Sequence, residues 1–189
     1  MDKRTYTKLS NLTEEEKRQR KLFQINYANM IRRVRDNVRY KNVSVCDEWK
    51  TSSDAFVEWS VKEYVTGWHL DKDMLSGVSK IYSPETCMYV PREVNALYRE
   101  PYNKYEYKNI QSNTSGIGYT FKTTILGINH SGFSRSTQEH AYADYLMFRS
   151  EHLVGLSQKY IDRHKLSVVL LRDSQQCRND AEEIYSKYQ

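Results

Sequence analysis

The sequence predicts an α+β fold: a basic helix, a small strand–strand–helix core, then a short antiparallel sheet with a long packing helix. Three observations predict it. Thr13 and Glu16 form the T-x-x-E signature of a helix start, and Phe23, Tyr27, Ile31 and Val34 follow at helical spacing. Between Gly67 and Asn95, short apolar runs alternate with turn residues, and Pro91 suits the first turn of a helix. Between Ile117 and Thr137, β-branched and aromatic residues are punctuated by Gly127, Asn129 and Gly132, and a long amphipathic stretch follows.

Taken in order, the first helix is expected over residues 14–38. Its apolar stripe faces inward, and Lys17, Arg18, Arg20, Lys21, Arg32, Arg35 and Arg39 occupy the other face. Residues 40–49 (YKNVSVCDEW) read as a short strand or extended segment, with Val43 and Val45 alternating with polar neighbours. Ser53 is the expected cap of a short helix that turns Phe56 and Trp59 inward, and Trp49, Trp59 and Trp68 form a local core. The next strand alternates about Leu70, which puts His69, Asp71 and Asp73 on one face, and Gly77 marks a turn. A helix over 91–99 buries Val94 and Leu97. Two or three short strands then lead to a second capping box, Ser136 with Glu139, and to a helix carrying Tyr142, Tyr145, Leu146, Leu153, Leu156 and Tyr160. The tail is helical at its end; its apolar run 166–171 is too short to assign by period. The expected parts are 1–42 (basic helix), 43–100 (core), 101–115 (linker), 116–163 (sheet plus helix) and 164–189 (helical tail).

Composition narrows the function classes. The 189 residues carry a formal charge of +5, with a mean hydropathy of -0.82. No apolar run approaches the ~20 residues of a membrane span, and the N-terminus has no apolar leader, so a cytoplasmic protein is expected. Cys46, Cys87 and Cys177 are odd in number and far apart, which argues against a disulfide framework or a structural zinc site and for buried thiols. Residues 1–50 contain 13 Lys and Arg against 7 Asp and Glu, whereas residues 51–100 contain 5 against 8. A basic arm beside an acidic centre suits a protein that holds phosphates at its flanks and a cation in the middle.

Within 67–95, GWHLDKDMLSGVSKIYSPETCMYVPREVN, the carboxylates of Asp71 and Asp73 and the imidazole of His69 lie within five residues, and Asn95 follows on the next helix. These residue types suit a hard divalent ion such as Mg²⁺ and a base that activates water. They also have structural readings: His69 as a surface residue, and Asp71 and Asp73 as caps of a turn before Gly77.

Three pieces in this order resemble the phage-type HNH homing-endonuclease family. YANMIRRVRD, YKNVSVCDEW and FVEW are similar to its lead segment, and LDKDML…KIYSPETCMYVPREVN to its HNH-like, ββα-metal core. GIGYTFKTTILG…GFSRSTQEHAYADYLMFR is similar to an AP2-type DNA-binding module of three strands and a helix. The resemblance implies DNA as the partner, and phosphodiester cleavage with Mg²⁺ or another divalent metal. Asp71, Asp73 and Asn95 would then hold the metal, with Asp71 and His69 as catalytic residues. The motif is degenerate here: Lys72 stands where the base histidine is usual, and Thr86 where the loop asparagine is usual. Lys72 is then a candidate phosphate contact, with Arg32, Arg35, Arg39, Lys122 and Arg135 as further DNA-binding candidates and Tyr119, Thr123 and Thr124 as lesser ones. The alternatives are a non-catalytic protein that keeps the nuclease fold and blocks a host or defence protein, and a DNA binder without chemistry.

Overall fold

In a computed structural model describing residues 12–76, 80–98, 107, 109–113 and 116–188, the chain is α+β and divides into two units, Met1–Tyr89 and Val90–Gln189. For Arg39 and Ser76 only the backbone is described. The expected core at 43–100 straddles the division.

The first unit is organised by α1 (Glu14–Asp36). Its capping box is closed in both directions. Glu16 N–H donates to Thr13 Oγ1 at 3.2 Å, and Thr13 N–H donates to Glu16 Oε2 at 2.7 Å. The helix ends two residues before the expected position, at an extended Asn37, and passes into a 3-10 turn at Val38–Tyr40. Strand β1 is only Ser44–Val45, parallel to β3 (Ile81–Tyr82). Trp49, expected on a strand, lies instead in α2 (Asp47–Thr51), where Asp47 and Glu48 occupy the first turn and complement the helix dipole. Helix α3 (Ser53–Glu63) is capped by Ser52, not Ser53: Ser52 Oγ accepts from Ala55 N–H at 3.3 Å.

Phe23, Trp49 and Phe56 are fully buried and make the centre of this unit. Trp49 meets Phe56 edge-on at 4.9 Å and Trp59 at 5.0 Å between ring centroids, within the range at which aromatic pairs attract. Tyr89 stacks on Trp59 at 5.6 Å, and its hydroxyl donates to Ser60 Oγ at 3.0 Å, so its one polar group is satisfied inside the core. Two of the three tryptophans therefore share one aromatic cluster, whereas Trp68 is half-buried just before β2 (His69–Asp71). Strand β2 pairs with β4 (Met88–Val90). Helix α4 (Asp73–Ser76) follows β2 directly, so Asp73 opens a helix and does not continue the strand. The expected turn at Gly77 lies outside the described residues.

In the second unit, α5 (Arg92–Tyr98) follows Pro91 and buries Val94 and Leu97, as the sequence predicts. Strand β5 (Ile110–Ser112) occupies part of the expected linker and is the third strand of an antiparallel sheet ordered β5–β6–β7, with β6 at Tyr119–Ile125 and β7 at Ile128–Ser131. The remainder of 101–115 apart from Tyr107, Asn109 and Asn113 lies outside the described residues. Leu126 and Gly127 join β6 to β7 with φ of 50° and 85°, the two-residue loop whose twist matches paired strands.

Helix α6 (Gln138–Lys159) starts one residue later than the Ser136 box implies. Thr137 is the cap, its hydroxyl accepting from His140 N–H at 3.2 Å. Helix α7 (His164–Lys187) absorbs the apolar run 166–171 and most of the tail. The tail is therefore integral to the module: Ala181 is buried in the same cluster as Ile110, Phe121 and Leu146. Small serines line the seam between α6 and α7. Ser150 and Ser174 hydroxyls lie 2.9 Å apart, and Ser167 Oγ donates to Ser157 C=O at 3.0 Å, so these buried hydroxyls have partners.

The cap assignment is testable. Thr137→Ala is expected to lower unfolding free energy by about 1 kcal/mol. Ser136→Ala is expected to stay within about 0.5 kcal/mol of the parent in the same urea titration, the usual effect of a surface change.

Candidate functional site

Leu70 packs against the aromatic core of the first unit, so its neighbours His69 and Asp71 share the opposite face of β2. His69 is exposed and Asp71 is half-buried. The chain turns into α4 at once, and Asp71 serves that turn. Its Oδ1 accepts from Asp73 N–H and Met74 N–H, both at 2.9 Å, which is the geometry of a helix cap. Burial pushes the Asp71 carboxyl above its ordinary value. The two backbone N–H groups pull it down, the Asp73 charge adds to the rise, and Lys72 opposes it.

Lys72 lies between two tyrosines. It is only 7% exposed, and its Nζ sits 5.8 Å from the Tyr40 ring centroid and 5.7 Å from that of Tyr82, at cation–π distance. Its ammonium also pairs with Asp73. As folded, Lys72 is an interior cation and does not present its charge to a phosphate, contrary to the reading of it as a DNA contact. Asp73 is exposed on α4 and turned to Lys72.

The loop before β4 is closed on itself. Thr86 Oγ1 donates to Ile81 C=O at 2.6 Å and accepts from Ser83 N–H at 3.0 Å. Cys87, directly after it, is buried, and burial pushes its thiol up to about 12. This is an inert core thiol, as the cysteine count predicts. Asn95 lies on α5, in the second unit, whereas His69, Asp71 and Asp73 lie in the first. Among the described residues, no three His, Cys, Asp or Glu side chains are grouped so as to hold a metal ion. Asp71 Oδ1 is engaged by two N–H groups and Asp73 faces Lys72.

On α1, the basic face is threaded with acids. Arg20 pairs with Glu58 at 2.7 Å, and Lys17 with Glu14 at 2.7 Å. Arg35 reaches both oxygens of Asp36, at 2.7 and 3.0 Å. Arg32 is exposed, its Nη2 donating to Asn29 Oδ1 at 3.2 Å. Exposed pairs of this kind are worth about 0.2–1 kcal/mol, so an approaching phosphate can replace the acid. The Arg39 side chain lies outside the described residues.

The sheet of the second unit has two unlike faces. Phe121 lies 6.0 Å from Tyr145 and 5.3 Å from Phe148 of α6, which fixes the odd residues of β6 on the helix side. Tyr119 belongs to that buried cluster, and Thr123 pairs with His130, whose ring meets Phe148 at 5.0 Å. Tyr119 and Thr123 thus face α6 and not the open side. The even residues fall on the other face, where Thr120 is only 8% exposed and its hydroxyl donates to Gly132 C=O at 2.8 Å. Lys122 opposite Ser131, and Thr124 opposite Asn129, are all exposed, and Thr124 Oγ1 donates to Asn129 Oδ1 at 2.7 Å. Lys122 makes no ion pair among the described residues. Arg135 is differently placed from the sequence expectation. Its guanidinium grips Asp144 of α6 through two bonds, at 2.7 and 2.9 Å, and Tyr185 of α7 donates to the same carboxylate at 2.6 Å. It clamps the sheet edge to the helices and offers no free fork to a phosphate or base.

Sequence reasoning missed an irregularity at the end of β7. Gly132 N–H donates to Phe121 C=O at 3.1 Å, and Arg135 exchanges two 2.7 Å bonds with Tyr119. Between these rungs β6 has one residue, Thr120, and the returning chain has two, Phe133 and Ser134. This is a β-bulge, which re-aims side chains and bends the strand. Phe133 is 83% exposed there. The one sequence signal was Gly132: a Cβ at that position would lie 2.5 Å from the Phe121 ring.

No protein-family model, curated protein or solved structure matches the chain.

The placement of Asp71 predicts a pH signature. A carboxyl raised by burial is protonated in the folded chain up to a higher pH than in the unfolded chain. The associated stability is present below the unfolded value and is lost as pH rises through the folded one. Asp71→Asn keeps a cap acceptor without the charge. Its stability relative to the parent is therefore expected to improve as pH rises above the ordinary aspartate range, read by urea denaturation at a series of pH values. A difference that does not vary with pH would contradict this.

Proposed function

We propose that the chain is a DNA-binding protein that receives duplex DNA on the open face of β5–β6–β7. One observation carries this reading. Phe121 and Ile125 are buried and Tyr119 and Thr123 half-buried on the α6 side, whereas the opposite face presents Lys122, Thr124, Asn129 and Ser131 to solvent, with no acidic residue among the described ones on it. Two-stranded and larger sheets fit the major groove, where amide and hydroxyl groups meet base edges and a lysine meets phosphate. The resemblance to an AP2-type module supports the same face. The basic face of α1, with Arg32 and Arg35 exposed, is a second source of phosphate contacts.

Each phosphate contact contributes about -0.9 to the slope of log affinity against log salt. Lys122→Glu is therefore expected to weaken binding to all duplexes alike and to reduce the steepness of that slope by about 1. Arg32→Glu and Arg35→Glu act likewise. The check is fluorescence anisotropy across a salt series; affinity that ignores salt would favour a protein partner, such as a host or defence protein, over DNA.

A metal-assisted cleavage reading has one observation in its favour. His69 is exposed on the β2 face that also carries Asp71, and the order β2, β4, α5 parallels the strand–strand–helix order of HNH-like cores. Against it stand the cap role of Asp71 and the ion pair of Asp73. Nicking of a supercoiled plasmid with Mg²⁺ or Mn²⁺ separates the readings. Binding without chemistry predicts no nicking above the level of a His69→Ala, Asp71→Ala double variant. Nicking by the parent that both single variants lose would establish the enzyme.

A further inference from the structure

We propose that Phe133 is a base-stacking residue, and that the open sheet face prefers DNA in which one base lacks its own partner. The inference rests on the DNA-binding reading above and deepens it.

Gly132, whose Cβ position meets the Phe121 ring, and Arg135, which grips Asp144 of α6, flank the bulge on the helix side, so the two bulge residues Phe133 and Ser134 lie opposite Thr120, on the side away from α6. Ser134, the second bulge residue, takes a hydrogen bond from Asn113 Nδ2 at 3.1 Å, and Asn113 Oδ1 accepts from Gly118 N–H at 3.3 Å. The extra residue is thus tied back to the β5–β6 loop, while Phe133 is left 83% exposed. A single exposed ring is ordinary on a protein surface; what distinguishes Phe133 is its place on a bulge beside a cation and hydrogen-bonding groups. The nearby chemistry says what covers it. On the same face lie an ammonium at Lys122 and the hydrogen-bonding groups of Asn129 and Ser131, with no carboxylate among the described residues. That combination of one cation, amide and hydroxyl groups, and an aromatic platform complements a phosphate-linked base.

The scarcity of cations selects the kind of base. Lys122 is the one lysine or arginine among the described residues of β5, β6 and β7, so the electrostatic contribution of this sheet is small. Wedging a ring into an intact duplex requires unstacking a base step first. A base that is already unpaired carries no such requirement, and stacking on it gains the full contact.

The test compares the full chain on a short labelled duplex and on the same duplex carrying one unpaired adenine, by fluorescence anisotropy. The unpaired adenine is expected to tighten binding by about tenfold, the scale of one base–aromatic stack. Phe133→Ala is expected to erase that preference, so that the two duplexes bind alike; Phe133→Trp is expected to retain it. Lys122→Glu is expected to weaken both duplexes while preserving their ratio. Equal binding of both duplexes by the parent, or a preference that survives Phe133→Ala, overturns the stacking role while leaving DNA binding intact. Binding of neither duplex overturns the DNA reading and this inference with it. Phe133 is exposed, and circular dichroism of the Ala variant checks that it folds.

Discussion

A strand sends alternate side chains to opposite sides, and a single helix can cover only one of them. That constraint shapes the second unit. Phe121, set against Tyr145 and Phe148, commits the odd positions of β6 to the interior. The even positions are polar: Lys122 and Thr124 face solvent, joined by Asn129 and Ser131 from β7, while Thr120 is buried beside the bulge with its hydroxyl donating to Gly132 C=O. A shift of one residue would expose Phe121 and bury an ammonium, so core packing and surface chemistry are locked to the same register. The Arg135–Asp144–Tyr185 clamp holds the edge of this sheet to both long helices. At the bulge next to that clamp alternation is broken and an aromatic ring is exposed.

The first unit shows how local structure competes with chemistry for the same atoms. One oxygen of the Asp71 carboxylate, Oδ1, receives two backbone N–H groups at 2.9 Å and is engaged in starting α4. An ammonium held between two tyrosine faces has been removed from the surface. Asp71, Lys72 and Asp73 form a connected set in which each group answers a structural need of the turn or of its neighbour. Burial of a lysine is costly unless it is paired, and the Asp73 contact together with the two rings meets that need. Asp71 and Asp73 thus serve the turn into α4 and the Lys72 ammonium beside it.

Much of the fold was legible because its signals are periodic. The stripe Phe23, Tyr27, Ile31 and Val34 and the closed Thr13–Glu16 box specify α1 from local sequence alone. The α+β class and the sheet-plus-long-helix order followed from the same kind of evidence. The errors came where adjacent residues offer the same chemistry. Ser52 and Ser53, like Ser136 and Thr137, present neighbouring hydroxyls, and only the backbone geometry decides which one caps. Strand β5 was hidden in a polar, tyrosine-rich run because its partner strand supplies the order that its own sequence lacks. Site positions were harder still. Lys122 on the open face could be read from alternation with Phe121, but Arg135 and Lys72 could not. Their carboxylate and aromatic partners come from other elements, and a cation in sequence looks the same whether it is free or enclosed.

The central claim is that the face of β6 and β7 turned away from α6 is where DNA docks. The most direct measurement is an amide chemical-shift titration of the isotopically labelled chain with a short duplex at low salt. The account predicts that the largest shifts fall on Lys122, Thr124, Asn129 and Ser131 and that added salt reverses them, while amides in the buried centre of α6 stay in place. A titration in which those four amides do not move contradicts it.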